Sequence, residues 1–310
     1  MANNLRDLRR KMKAIKSTRQ VTKAMELVSA SKMRRAVQNA QQLRRYALTA
    51  WSILQKMAGV HTGKHPFLVE RPVKNVLAIL VTSDRGLSGS LNAQLFRVAT
   101  QYLKGQRELQ GFERLEFIAV GRKGQQFLAR TGQTVTAAFP AFSNHPTFRD
   151  VLPVARMAID AFKTGTYDHV VLLYTDFISA LAQEPVVKVL LPFSETELKT
   201  MLSSLIQRRR ITKEEEEAMK TEPPKSDYLF EPSETEVLDR ILPQLTEMQI
   251  YQAVLEAAAS EHSARMLAMR NATDNASDIL DDLTLTYNQT RQANITAELS
   301  ELSASKAALD

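Results

Sequence analysis

Apolar or small residues recur at three- and four-residue steps at both ends of this chain. The first run is Leu5, Leu8, Met12, Ile15, Thr18, Thr22, Met25 and Val28, resuming at Ala36, Ala40, Leu43, Ala47, Ala50, Leu54 and Met57. The last begins Leu238, Ile241, Leu245, Met248, Tyr251, Leu255 and Ala258. It continues through Met266, Met269, Ala272, Ala276, Leu280, Leu283, Tyr287, Ile295, Leu299 and Leu302. Alternating steps of three and four mark the seam of a coiled coil. At 1.5 Å per residue the final run is roughly 100 Å long, too long for a compact domain to enclose. Two such helices from opposite ends of one chain pair most simply in antiparallel fashion. The fold expected is therefore α/β: a long antiparallel coiled coil of the N- and C-terminal helices plus a small doubly wound, Rossmann-like α/β domain. The ranges are 1–58 for the first helix, 70–193 for the α/β domain, 194–232 for a charged excursion and 233–310 for the last helix.

Charge is divided between the two ends. Residues 1–58 carry fourteen Lys or Arg against Asp7 and Glu26, a net +12. Residues 234–310 carry thirteen acids and five bases, a net −8. Opposite charges on paired helices can select the pairing. Excess positive charge can also face an acidic protein partner or nucleic acid. An acidic protein partner suits the chain better, because the basic helix has no aromatic residue for base stacking before Tyr46 and Trp51. No apolar run is long enough to span a bilayer, and no secretory h-region is visible. An Arg-rich, acid-poor start also fits a mitochondrial transit peptide, although its pattern runs unbroken past Met57. The chain has no cysteine, so disulfides, thiol control and Cys-ligated metal are excluded.

Between the helices the pattern changes. Glycines and a proline in the linker 59–66 end the first helix. Strands are expected at 76–82, 115–120, 134–139, 169–174 and 186–191, and helices at 91–104, 124–130 and 149–163. This alternation defines the α/β domain. Arg208 to Arg210, Glu214 to Glu217 and the pair Pro223-Pro224 give the excursion its charged, proline-bounded texture. Ser233 with Glu236 three residues on suggests an N-cap and capping box for the last helix. Pro243 is expected to kink that helix or to divide off a short leading one.

Motifs for chemistry are sparse. Gly86 and Gly89 follow the first strand, where such a domain would take a phosphate, yet they form no G-x-G-x-x-G, and no phosphate-binding P-loop signature occurs. Gly121 and Gly124 are equally unspecific, and all four read best as turn and helix-entry residues. His61, His65, His145, His169 and His262 show no ligand spacing, so no metal or other cofactor is expected. His262 reads as a packing or polar-layer residue on the seam of the last helix rather than a base. The stretch 261–275 crowds Asn271, Thr273, Asp274 and Asn275, weak helix formers that suggest hydrogen bonds to something outside the helix pair.

Four segments carry a family resemblance: residues 15–35 (IKSTRQVTKAMELVSASKMRR), 82–92 (TSDRGLSGSLN), 260–275 (SEHSARMLAMRNATDN) and 285–299 (LTYNQTRQANITAEL). Together, and in this order, they resemble the γ subunit family of F-type ATP synthases. The resemblance implies a non-catalytic rotor shaft, coupling proton-driven rotation of a c ring to conformational cycling of catalytic β subunits. It implies α and β subunits (three of each), an ε subunit and the c ring as partners, with no nucleic acid and no bilayer insertion. The location implied is peripheral, on the cytoplasmic face of a bacterial membrane. By motif match, Lys23 and Met25 would lie near an acidic loop of β. Arg265, Arg270 and Thr273 would contact α or β, and Ser83, Asp84 and Arg85 would lie near ε. Where many relatives read Cys-Gly-Gly, this chain has Ser88-Gly89-Ser90. The excursion 194–232 stands where photosynthetic relatives carry a cysteine-containing regulatory insert, and without cysteine that control is ruled out.

Overall fold

A computed structural model describes residues 2–57, 65–69, 71–142, 146–193 and 233–307. The expected excursion at 194–232 and most of the 59–66 linker lie outside the described residues. The elements are α1 (Ala2–Met57), β1 (Asn75–Val81), α2 (Leu91–Arg107), β2 (Arg114–Val120), α3 (Arg122–Arg130), β3 (Val135–Phe139), α4 (Phe148–Lys163), β4 (His169–Phe177), β5 (Gln183–Leu191) and α5 (Glu234–Ala307). The chain divides into two compact units. One comprises residues 1–30 with 265–310, the other residues 31–264.

In the first unit, α1 and α5 pair in antiparallel fashion. The Arg9 guanidinium donates to the Tyr287 hydroxyl at 2.8 Å and lies over its ring, while the Thr273 hydroxyl donates to that of Thr22 at 2.7 Å. Thirteen residues forward on one helix correspond to fourteen back on the other. The inward positions of α1 are Leu5, Leu8, Met12, Ile15, Arg19, Thr22, Glu26 and Ser29, an unbroken heptad series. This corrects the expected seam at two places. Thr18 is exposed beside inward Arg19, and Val28 is 53% exposed beside buried Ser29. A left-handed pair keeps a 3.5-residue period. Thr18 and Val28 fall one step behind that period and turn out, Met25 stays half-buried beside Glu26, and at residue 28 the period prevails over side-chain polarity.

The far end of α5 departs in the same way. Thr290, Asn294 and Ala297 are half-buried, whereas Ile295, Leu299 and Leu302, expected in the seam, are 49%, 60% and 68% exposed. With Tyr287 opposite Arg9 and α1 starting at Ala2, the last turns of α5 extend beyond the α1 residues that could cover them.

In the second unit the strands form one five-stranded sheet in the order β3-β2-β1-β4-β5. β1 pairs in parallel with both β2 and β4, β2 with β3, and β5 runs antiparallel to β4. Only the five residues 178–182 separate β4 from β5, a connection short enough for a hairpin and too short for a parallel return. The central strand explains its continuous apolarity. Leu77, Ile79 and Val81 point to one core and Val76, Ala78 and Leu80 to the other. The first face is covered by α4 (Val154, Ala158, Phe162) and by Leu238, Leu242, Leu245 and Val254 of α5. The second is covered by Leu95, Ala99 and Leu103 of α2 and Phe127 and Leu128 of α3. Ala36 of α1 packs against Ala258 and Ala259 of α5, where small side chains let the helices close.

Pro243 does not divide α5, contrary to one expectation. The helix is continuous from Glu234 to Ala307. The lost backbone bond is outweighed locally by Leu238, Leu242 and Leu245, all nearly fully buried on the sheet. Ser233 caps the helix as expected, accepting from the Glu236 amide at 3.3 Å. At the opposite end of the sheet Glu116 accepts from the hydroxyls of Tyr167 and Thr136, and the Tyr167 bond holds its carboxyl below the usual carboxylate range.

Candidate partner interfaces and a closed crevice

A doubly wound sheet takes its ligands outside the carboxyl ends of its strands, at the point where strand order reverses. Here that point lies between β1 and β4. It is narrowed by the chain itself: Val81 at the end of β1, Thr82 and Ser83 after it, Thr175 of β4, Asn92 of α2, and Val254, Ala257, Ala258 and Glu261 of α5 line a crevice with room of about 20 Å³. That is the room of about one water molecule.

The glycine loops are part of this closure. Gly121 has φ +97°, and a Cβ there would stand 2.2 Å from the Thr82 carbonyl oxygen. At Gly124 a Cβ would meet the Thr82 hydroxyl at 2.8 Å. The glycines let α3 seat its first turn directly on the end of β1. Thr82 Oγ1 donates to the Val120 carbonyl at 3.0 Å and accepts from the Gly124 amide at 2.8 Å. The Asp84 carboxylate supplies the negative charge that a helix N-terminus favours, accepting from the Arg122 amide at 2.9 Å. Both glycine pairs thus serve turns and helix entry.

Among the described residues no group of three or more His, Asp or Glu could hold a metal ion. His65 is buried against Asp239, with Nε2 3.0 Å from Oδ1. Its Nδ1 accepts from the Phe67 amide, so the ring proton sits on Nε2 and is donated to Asp239. His262 is buried, as a packing residue should be.

The residues proposed for partner contact fall in two groups. In the first unit Lys23 is exposed and pairs with Glu26 at 3.0 Å, and Met25 is half-buried. Arg270 is exposed, and Arg265 is half-buried and already engaged within the chain. Thr273 turns inward to Thr22 and the Met269 carbonyl. In the second unit only Arg85 of its trio faces outward. Ser83 is buried, donating to the Arg85 carbonyl at 2.8 Å and accepting from Asn92 at 2.7 Å, and Asp84 is half-buried.

Two surfaces escaped the sequence reading. Val21, Leu27 and Val28 form an exposed apolar strip beside Lys23, and Ile295, Leu299 and Leu302 form another. The four-three spacing of Ile295, Leu299 and Leu302 matches a seam, and only the pairing register shows which apolar residues face out. The charges also behave unexpectedly. Arg6, Arg10, Lys11, Lys13 and Lys16 are exposed, and none forms an ion pair with a described acid. Asp274, Asp278, Asp281 and Asp282 on α5 are likewise exposed and unpaired with any described base. Opposite charge on the two helices is therefore not realised as ion pairs between these residues, and the basic surface of α1 is left open.

A helix pair with open basic and apolar surfaces, joined in sequence to a five-stranded sheet flanked by helices, defines an α/β coiled-coil protein. A family profile described as ATP synthase matches residues 4–309. Curated relatives named ATP synthase gamma chain include that of Roseiflexus castenholzii, 43% identical over 307 residues and 98% of each chain. That of Herpetosiphon aurantiacus is 42% identical over 314 residues, again 98% of each. This chain belongs to the ATP synthase gamma chain family. The fold is shared with the rotor of the Euglena gracilis mitochondrial ATP synthase, at a TM-score of 0.59 and 20% identity over 95% of this chain and 100% of that one.

Proposed function

We propose that this chain is the central rotor shaft of an F-type ATP synthase, turning with a c ring and driving the catalytic β subunits through their conformations. The observation that carries this reading is similarity to gamma chains of ATP synthases over 98% of this chain and of the relative. The narrow crevice supports a non-catalytic role: where such a sheet would hold a nucleotide, residues of α5 line a space with room for about one water molecule. The uncompensated basic face and apolar strip of α1 suit a helix pair enclosed by α and β subunits, with Lys23 and Met25 toward β. Arg265 and Arg270 face α or β, and the 83–85 loop faces ε. Thr273 joins that contact through its helix position, its hydroxyl being held by Thr22. No described helix is long and apolar enough to cross a membrane, which agrees with peripheral attachment, here assigned to the cytoplasmic face of a bacterial membrane.

Purification of the native complex tests this reading. Co-purification with α, β, ε and c subunits is expected, and isolation of the chain without ATPase subunits would contradict it. A residue-level test is Arg270→Ala. An exposed side chain contributes little to the isolated chain, so its stability should stay within about 0.5 kcal/mol. Loss of a charge-assisted hydrogen bond to the surrounding subunits should weaken assembly by about 1.5–3 kcal/mol. Arg265→Ala should do the same with some added loss of chain stability, because Arg265 is engaged within the chain. Unchanged assembly, ATP hydrolysis and proton pumping in both variants would remove these residues from the interface.

A further inference from the structure

We infer that Asp84 is a positioning residue: it clamps the 83–90 loop from below and fixes Arg85 and Leu87 in the orientation that meets the neighbouring subunit. The inference rests on the proposed role of this loop as a partner contact, and it assigns the members of the loop different parts.

The Asp84 carboxylate is directed into the fold by two main-chain donors. Oδ1 accepts from the Arg122 amide at 2.9 Å and from the Ala141 amide at 3.1 Å, and Oδ2 lies 3.2 Å from the Ala141 amide. Those donors stand 38 and 57 residues away in sequence, one at the start of α3 and one after β3. A single side chain thus ties three separate connections at the carboxyl end of the sheet. An ionised acceptor makes such bonds stronger than a neutral one would, and the partial positive charge at the start of α3 adds to this.

The other side of the loop is fixed by Ser83 and Asn92. The Ser83 amide donates to Asn92 Oδ1 at 3.4 Å, Asn92 Nδ2 donates to Ser83 Oγ at 2.7 Å, and Ser83 Oγ donates to the Arg85 carbonyl at 2.8 Å. Between these anchors Arg85 is exposed, and Leu87 is 58% exposed at φ +66°, a left-handed conformation that a leucine seldom adopts. A leucine held outward in a strained turn is maintained by its surroundings, and the anchors on either side of it are Asp84 and the Ser83–Asn92 pair.

The test uses the full chain and the reconstituted complex, with Asp84→Ala, Asp84→Asn, Arg85→Ala and the double variant Asp84→Ala/Arg85→Ala. Hydrogen exchange at the Arg122 and Ala141 amides reads the clamp, and the dissociation constant of the chain from the rest of the complex reads the docking. Asp84→Ala should speed exchange at both amides about tenfold or more. It should also weaken docking by a factor similar to Arg85→Ala. The double variant should dock about as well as Arg85→Ala alone, because a positioning residue has nothing left to position. Asp84→Asn keeps a carbonyl oxygen in place of Oδ1 and should restore part of both the protection and the docking, which separates loss of the clamp from general misfolding. If exchange at Arg122 and Ala141 does not change, or if the two substitutions weaken docking independently, Asp84 is not the clamp. If Arg85→Ala docks like the wild type, the loop is no contact, and the inference falls together with the reading beneath it. If Arg85→Ala weakens docking while Asp84→Ala does not, the positioning role alone falls.

Discussion

Gly121→Ala is expected to destabilise the sheet-bearing unit by more than about 4 kcal/mol, which belongs to the rare class of severe single substitutions. Two costs combine. At φ +97° and ψ 142° the backbone occupies a region that is essentially reserved for glycine, worth about 1–3 kcal/mol for any other residue. The new Cβ would also stand 2.2 Å from the Thr82 carbonyl oxygen. Backbone cannot rotate away as a side-chain tip can, so α3 must lift from β1. Lifting it loses the Gly124 amide bond to Thr82 and disturbs the Arg122 bond to Asp84. Gly132→Ala is the control, since Gly132 also has positive φ, at +63°, but nothing lies within 4 Å of its Cβ position. It should cost only about 1–2 kcal/mol, the left-handed penalty alone. Thermal unfolding of both variants checks the pair, and a Gly121→Ala chain within 1 kcal/mol of wild type, to order of magnitude, would show that α3 does not need this contact.

Leu242→Ala is expected to cost about 2–5 kcal/mol. Leu242 is fully buried in the core that α4, α5 and the sheet share, one residue before Pro243. At that point the helix has lost a backbone bond and relies on side-chain burial, so a cavity there falls where α5 is least supported by its own hydrogen bonds. Leu299→Ala, on the exposed last turns of the same helix, should stay within about 0.5 kcal/mol in the isolated chain. The denaturant midpoints of the two variants provide the comparison, and similar midpoints would mean that α5 is not anchored through this core.

The centre of the sheet was legible because β1 and β4 are buried on both faces and read as apolar runs. Residues 76–81 and 169–174 announce themselves in that way, and observed strand ends differ from the expected ones by at most three residues. The helix pair was legible as a pair but not in its finer register. Polarity favours Val28 over Ser29 as the inward residue, whereas a heptad fixed by Thr22 against Thr273 and Arg9 against Tyr287 chooses Ser29. Ile295 and Leu299 failed in the same way: the half-buried heptad positions there are Thr290, Asn294 and Ala297, and the two apolar residues fall out of that phase. Pro243 was read as a break because the loss of a backbone bond is local and visible, while the burial of Leu238, Leu242 and Leu245 depends on a sheet formed far away in sequence.

The candidate contacts were legible as segments and not as roles. Ser83, Asp84 and Arg85 are adjacent in the chain, yet one is buried, one binds amides of distant segments and one is exposed. Those donors, on Arg122 and Ala141, are main-chain groups, which any residue type supplies, so nothing in the composition marks them.

Rotation of this chain inside a working complex tests the central claim most directly. The chain has no cysteine, so a single introduced thiol provides a unique attachment point. Gln110, exposed in the turn after α2, is a suitable position for Gln110→Cys. With the α and β subunits fixed to a surface and a bead attached at position 110, addition of ATP should turn the bead continuously in one direction. Steady ATP hydrolysis by the same complex while the bead stays still would contradict the assignment of this chain as the rotor.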